Sequence, residues 1–215
     1  MTWIWAVGAP LVWGITSIVF RVRIEGLDRI PKRGAAILAP NHVSVLDGPA
    51  LVAIVGDHRW RPTRSLITFE VFHGLLGWIL NQADQIPVQR GVGDRGAMQE
   101  AATALTDGSL LGLFPEGHVN EDPTGPLQRI RSGMTRLAIP TGAPVIPIGI
   151  WGTQSLWPRT GLRRPMLVRR PRFAMVFGSP VVPAPEGAEV PSDFRERYVA
   201  ALQEVVARAR SLAED

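Results

Sequence analysis

Residues 35–48 read AAILAPNHVSVLDG, and the order of apolar and polar positions in that stretch decides the architecture. Ala35 to Ala39 is an unbroken apolar run closed by Pro40. A strand wet on one face alternates polar with apolar residues, whereas an unbroken run marks a strand covered on both faces, the habit of parallel sheets with helices above and below. The polar pair Asn41-His42 ends the strand, and Val43 to Val55 is apolar enough to return as a helix packed on the sheet. Strand, polar loop and helix make the unit of an α/β fold, whose chemistry sits in the strand-end loops. This loop holds His42 and, five residues on, Asp47. The spacing lets a carboxylate reach back to one ring nitrogen of an imidazole, fixing its tautomer and supporting the cation formed when the other nitrogen takes a proton. Two parts of a Ser/His/Asp triad are present, and the nucleophile is missing.

The same unit repeats along the chain. Strands are expected at Val22–Glu25, Ser65–Phe69, Gln85–Val88, Leu110–Phe114, Ala143–Ile150 and Arg172–Gly178. Helices are expected at Gly74–Leu80, at Arg95–Thr106 with Asp94 as its cap and Asp107-Gly108 closing it, from Ser132, and from Ser192 to about Ala213. The sum is an α/β fold with a mostly parallel central sheet flanked by helices, as one domain over residues 22–215. Asn41-His42, Arg90 and Pro115-Glu116-Gly117 each follow a strand, so they are expected on one rim. The stretch 183–192, PAPEGAEVPS, reads as a surface loop.

With no cysteine, the chain has neither a disulfide framework nor a thiol nucleophile nor a Cys-based metal site. Four histidines without paired ligand spacing give no metal motif. The formal charge of +4 and pI of about 10.8 come from arginine, since Lys32 is the only lysine, and they favour anionic partners. Six arginines fall between Arg159 and Arg172 with no acid among them, read either as a solvated loop or as a surface for anionic headgroups. Residues 2–20, TWIWAVGAPLVWGITSIVF, carry no charge and three tryptophans, then run into Arg21 and Arg23. Lacking a basic leader and a small-residue cleavage site, the segment is expected to be retained. Pro10 is expected to kink or break it, and the tryptophans favour an interface. Residues 1–21 are therefore expected as a helical segment lying in one membrane leaflet, with a membrane span and a buried core helix as the alternatives.

His42 and Asp47 have company. VQRG runs from Val88 to Gly91, FPEGH from Phe114 to His118, and APVIPIGI from Ala143 to Ile150. Together with Asn41-His42-x-x-x-x-Asp47 these blocks resemble the glycerolipid acyltransferase family, which includes the bacterial 1-acylglycerol-3-phosphate acyltransferases, and they stand in that family's order over about half the chain. The resemblance implies that the missing nucleophile is the acceptor's own hydroxyl. His42 would remove its proton as it attacks an acyl thioester, with Asp47 holding the ring. It further implies that Asn41, Arg90, Phe114, Pro115, Glu116 and Gly117 form the acceptor site, Arg90 as a phosphate ligand and Glu116 either on acceptor hydroxyls or holding its loop. No cofactor is implied, the acyl donor being acyl-CoA or acyl carrier protein. The implied partners are a membrane lipid surface and a lysophospholipid, with no nucleic acid, at the cytoplasmic face of the cell membrane. One departure stands out: where the family commonly has Thr-Arg after the third block, this chain has His118-Val119. Arg129 or Arg131 is then the substitute, and Arg131 occupies the position of a basic residue the family often has.

Three rival readings explain less of the sequence. GVGDRG, Gly91–Gly96, satisfies a dinucleotide fingerprint, but it lies almost ninety residues into the chain and Asp94 puts a carboxylate among the amides meant for pyrophosphate. A hydrolase would let water replace the alcohol, although no Gly-x-Ser-x-Gly elbow is present. A non-catalytic basic module would leave the four blocks unexplained.

Overall fold

The structure, a computed structural model, describes residues 3–89, 94–161, 170–184 and 190–215. Seven strands form one sheet: β1 (Arg21–Glu25), β2 (Ala36–Pro40), β3 (Thr63–Thr68), β4 (Ile86–Val88), β5 (Leu110–Gly112), β6 (Val145–Trp151) and β7 (Arg172–Phe177). Their spatial order is β1-β7-β6-β2-β5-β3-β4. The five strands from β6 to β4 are mutually parallel, while β7 runs antiparallel to β6 and parallel to β1. The carboxyl ends of the five parallel strands and the amino ends of β1 and β7 therefore share one rim. Strand alternation divides the core in two. Ile37, Ala39, Leu111, Ala174 and Val176 face α4 (Arg95–Thr106), α5 (Gly133–Thr141) and α6 (Pro191–Glu214). Ala36, Leu38, Leu110, Phe173 and Met175 join the opposite core, to which α2 (Asp47–Arg59) contributes Ala50, Leu51 and Ile54. Burying every side chain of β2 is what its unbroken apolar run required.

Several elements depart from the expectation. The helix after the histidine loop starts at Asp47, not Val43, because the Asp47 carboxylate accepts the Val43 and Ser44 N–H groups and holds those residues as a turn. The last helix starts at Pro191, whose fixed φ and missing N–H suit a first turn, so Ser192 is inside it and not its cap. Pro10 does not break α1 (Trp3–Val19), which is continuous; Pro10 and Ala6, whose carbonyl loses its partner, are both exposed. No helix among the described residues is long and apolar enough to cross a membrane.

Helix α1 lies on α2 rather than on the sheet. Trp5 and Ala9, one turn apart, are its buried residues, and a side chain at Gly56 of α2 would lie 2.8 Å from Ala9 Cβ. That glycine permits a close helix crossing. Trp13 meets His58 edge-on at 4.8 Å. The outer face of α1 shows Trp3, Val7, Leu11, Ile15 and Ile18 to solvent. Trp3 also touches Trp78 of α3 (Gly74–Gln82), whose Leu75, Leu76 and Ile79 are exposed as well.

Candidate active site

The site forms where β2 ends. His42 Nδ1 lies 3.0 Å from Asp47 Oδ2, which leaves Nε2 as the ring nitrogen free of Asp47. Asp47 is fully buried, and a buried carboxylate is tolerated only when its lone pairs are met. Oδ2 accepts the Val43 N–H at 2.7 Å and the Ser44 N–H at 2.8 Å, and Oδ1 accepts the Thr153 hydroxyl at 2.6 Å. Those donors hold the carboxylate as an acceptor, so it cannot rotate away from the imidazole without losing them. The Phe114 ring stacks on the imidazole at 4.0 Å and 29°, walling it on one side.

The turn Phe114 to Gly117 is sewn to the histidine loop from both directions. Glu116 Oε1 accepts the His42 N–H at 2.8 Å, and the His42 carbonyl accepts the Asn120 N–H at 2.7 Å. Glu116 is buried, and its Oε2 has no partner among the described residues. Burial raises its carboxyl above the usual carboxylate range, opposed by the backbone N–H groups of His42 and Gln128. Tyr198, pushed well above the usual phenol range by burial and next by Glu116, donates to the Ala39 carbonyl at 3.0 Å in the strand leading to the loop. Pro115 is buried, and its carbonyl accepts the Arg131 N–H at 2.9 Å. Gly117 has φ of 77°, and a Cβ there would lie 2.8 Å from Arg131 Nε. Glycine thus serves twice, adopting the left-handed turn and leaving room for the guanidinium.

The expected site residues separate into groups. His42, Asp47, Phe114, Pro115, Glu116, Gly117 and Arg131 come together. Asn41 is buried, and its amide accepts the Ile150 N–H at 2.7 Å and donates to the Ile150 carbonyl at 3.1 Å, so it ties β2 to β6. Glu116 is likewise buried, and through Oε1 it holds the histidine loop. Arg90 lies outside the described residues, as do residues 91–93 of the glycine-rich stretch. Asp94 accepts the Ala97 and Gln89 N–H groups, which hold it below the usual carboxylate range, so the first turn of α4 already has its anion. Two participants had no signal in the sequence: Thr153 reaches Asp47, and Ser44 Oγ donates to the Trp157 carbonyl at 2.7 Å. Arg159, which the sequence showed only as the start of a basic run, stands beside the loop, 3.5 Å from the Val119 carbonyl and 3.0 Å from Glu121. Among the described residues no group of three His, Asp or Glu stands together as a metal site.

A histidine paired through Nδ1 to a buried carboxylate, with the neighbouring Ser44 hydroxyl donated to the Trp157 carbonyl, can take a proton from a bound hydroxyl through Nε2. The protein-family model described as Acyltransferase matches residues 21–151. An uncharacterised protein of Mycobacterium tuberculosis is 30% identical over 189 residues, 83% of this chain and 48% of the relative. A chloroplastic 1-acyl-sn-glycerol-3-phosphate acyltransferase of Arabidopsis thaliana is 26% identical over 153 residues, 68% of this chain and 41% of the relative. The chain thus spans about half the length, or less, of these curated relatives. The crystal structure of the 1-acyl-sn-glycerophosphate acyltransferase PlsC of Thermotoga maritima superposes with a TM-score of 0.70 at 23% identity, covering 93% of this chain and 80% of that one, and so shares the fold.

Proposed function

The chain belongs to the acyltransferase family, and from that premise we propose that it moves a fatty acyl group from acyl-CoA or acyl carrier protein to the sn-2 hydroxyl of 1-acylglycerol-3-phosphate at a membrane surface. The observation that carries the reading is the His42–Asp47 pair at 3.0 Å with Phe114 against the ring. His42 Nε2 takes the hydroxyl proton as the alcohol oxygen bonds to the thioester carbon. The carbonyl electrons collapse back to expel the thiolate, which leaves with the proton from His42, and Asp47 offsets the imidazolium between the two transfers. No acyl-enzyme forms. Arg131, exposed beside Gly117, and Arg159, beside Val119, are the cations for the acceptor's phosphate, where a guanidinium fork suits an oxyanion. Arg90 is a further phosphate ligand in this reading.

The membrane part of the proposal rests on α1 and α3. A helix apolar all round is stable when covered all round, and the outer face of α1 is uncovered. The Trp3–Trp78 contact joins it to the exposed apolar residues of α3. Where α1 ends, Arg21, Arg170 and Arg172 line a cleft of about 560 Å³, and Arg170 donates to the Ser17 and Phe20 carbonyls. Apolar surface edged by arginine matches acyl chains edged by anionic headgroups at the cytoplasmic face of the cell membrane. Val119 in place of an arginine favours a second reading, the same chemistry on a different lysolipid or glycolipid acceptor.

The test is acyl transfer from radiolabelled palmitoyl-CoA by the purified protein to 1-acylglycerol-3-phosphate, glycerol-3-phosphate, an uncharged lysolipid or water, beside His42→Ala. Transfer to the lysophosphatidate that disappears in His42→Ala is expected. Transfer to another acceptor moves the substrate, and release of free palmitate alone overturns the transferase reading.

A further inference from the structure

We propose that Thr153 is a positioning residue for the reaction, acting through Asp47. The proposal rests on the reading of His42 and Asp47 as the proton-transfer pair. The two carboxylate oxygens of Asp47 are unequally supplied: Oδ2 meets the imidazole and two backbone N–H groups, whereas Oδ1 has the Thr153 hydroxyl as its one donor among the described residues. Both side chains are fully buried, so water has no ready access to take the place of the hydroxyl. A buried oxygen anion without a donor is costly, and the carboxylate relieves that cost by turning about its Cβ–Cγ bond to share the Oδ2 donors. Such a turn moves Oδ2 off His42 Nδ1 and frees the imidazole to tilt. The threonine hydroxyl thus locks the rotation on which the tautomer of His42 depends.

The loop carrying Thr153 is built to hold that hydroxyl still. It leaves β6 at Gly152, whose φ of 106° turns the chain back, and a side chain there would lie 2.0 Å from the Arg172 carbonyl. Gln154 Oε1 accepts the Gly152 N–H at 2.7 Å, and Ser155 Oγ donates to the Gly152 carbonyl at 2.6 Å. At the far end, the Trp157 carbonyl accepts Ser44 Oγ from the histidine loop itself. Two separate hydrogen bonds therefore join this loop to the turn between His42 and Asp47.

A double-mutant cycle on the purified full chain tests the proposal. Thr153→Val keeps the shape and removes the hydroxyl; it is expected to lower kcat by about tenfold or more, the effect of losing one hydrogen bond to a charged group, with KM for acceptor and donor unchanged. Thr153→Ser keeps the hydroxyl and is expected to recover most of the rate. In an Asp47→Ala background, which leaves no carboxylate for the hydroxyl to hold, Thr153→Val is expected to cost less than about twofold, because coupled residues are not additive. Equal losses in both backgrounds mean that Thr153 does not act through Asp47 and overturn the proposal, as does a wild-type rate for Thr153→Val. Thermal melts check folding, and if the valine variant does not fold, Thr153→Ala takes its place in the cycle. A His42→Ala variant that still transfers acyl groups overturns the proton-transfer reading itself, a result distinct from a fully active Thr153→Val beside an inactive His42→Ala.

Discussion

Replacing Asp47 by asparagine removes one charge and almost no volume, which makes it the sharpest probe of what the pair at the end of β2 does. The amide oxygen can still accept from His42 Nδ1, Val43 and Ser44, and the amide nitrogen can donate to the Thr153 hydroxyl, which turns to accept. The turn before α2 should therefore survive, and the melting temperature should shift by a few degrees, since a change of about 1 kcal/mol moves a protein of this size by roughly 2–4 °C. The lost quantity is the support of an imidazolium by an anion. With Oδ2 at 3.0 Å from Nδ1, two unit charges about 4 Å apart interact by about 4 kcal/mol at the effective dielectric of such sites, close to a thousandfold in rate. Asp47→Asn should lower kcat by about 10³ in the radiolabelled transfer assay while KM for both substrates stays put. Activity within tenfold of the wild type, on a protein that melts normally, would show that Asp47 serves only to shape the turn and would refute the acid–base reasoning.

The other predictions concern the supports and the mouth of the site. Arg131→Ala should raise KM for 1-acylglycerol-3-phosphate by about 10- to 100-fold, the worth of a charge-assisted hydrogen bond, and leave an uncharged lysolipid unaffected; equal effects on both acceptors would remove Arg131 from phosphate recognition. Because burial raises the Glu116 carboxyl, the stability it lends is fully present below the ordinary carboxylate range and is lost as the pH rises through its raised value. Thermal melts should therefore show Glu116→Gln gaining on the wild type as the pH rises from the ordinary carboxylate range through the raised value, and a difference that does not move with pH counts against a strained carboxylate. Gly56→Leu should force α1 off α2, because the first added carbon already meets Ala9 Cβ at 2.8 Å, costing about 1–3 kcal/mol in a denaturant titration. Paired Leu11→Glu and Trp78→Ser changes should weaken sedimentation with anionic lipid vesicles while transfer to a dispersed, short-chain acceptor continues; undiminished sedimentation would dismiss the apolar face as the lipid contact.

The sheet was legible because its strands are buried on both faces, and such strands advertise themselves as apolar runs: AAILAP, LLGLF and APVIPIGI all lie at or within a few residues of observed strands. Helix starts were less legible where a side chain overruled local pattern. Val43 to Leu46 is apolar enough for a helix, yet the Asp47 carboxylate captures two of its N–H groups and keeps it a turn. Within the site, the contact between His42 and Asp47 spans five residues and leaves a spacing that can be read. The bonds from Glu116 to His42, from Asn41 to Ile150 and from Thr153 to Asp47 span 74, 109 and 106 residues, and nothing in a single sequence records such pairings. For that reason Asn41, named by its motif, turned out to be a tie between strands, while Thr153 went unnamed.

The crossing of α1 over α2 at Gly56 fixes a length. The ten residues from Asp47 to Gly56 belong to one helix, so the carboxylate stands about 14 Å along its axis from the point where α1 rests. A helix of that length is stiff and cannot stretch. It acts as a strut with the proton-handling pair at one end and an apolar face at the other, and the two cannot be set at different distances without rebuilding the helix between them. Whatever surface α1 comes to lie on, His42 and Asp47 stand at a depth already chosen by two and a half turns of backbone.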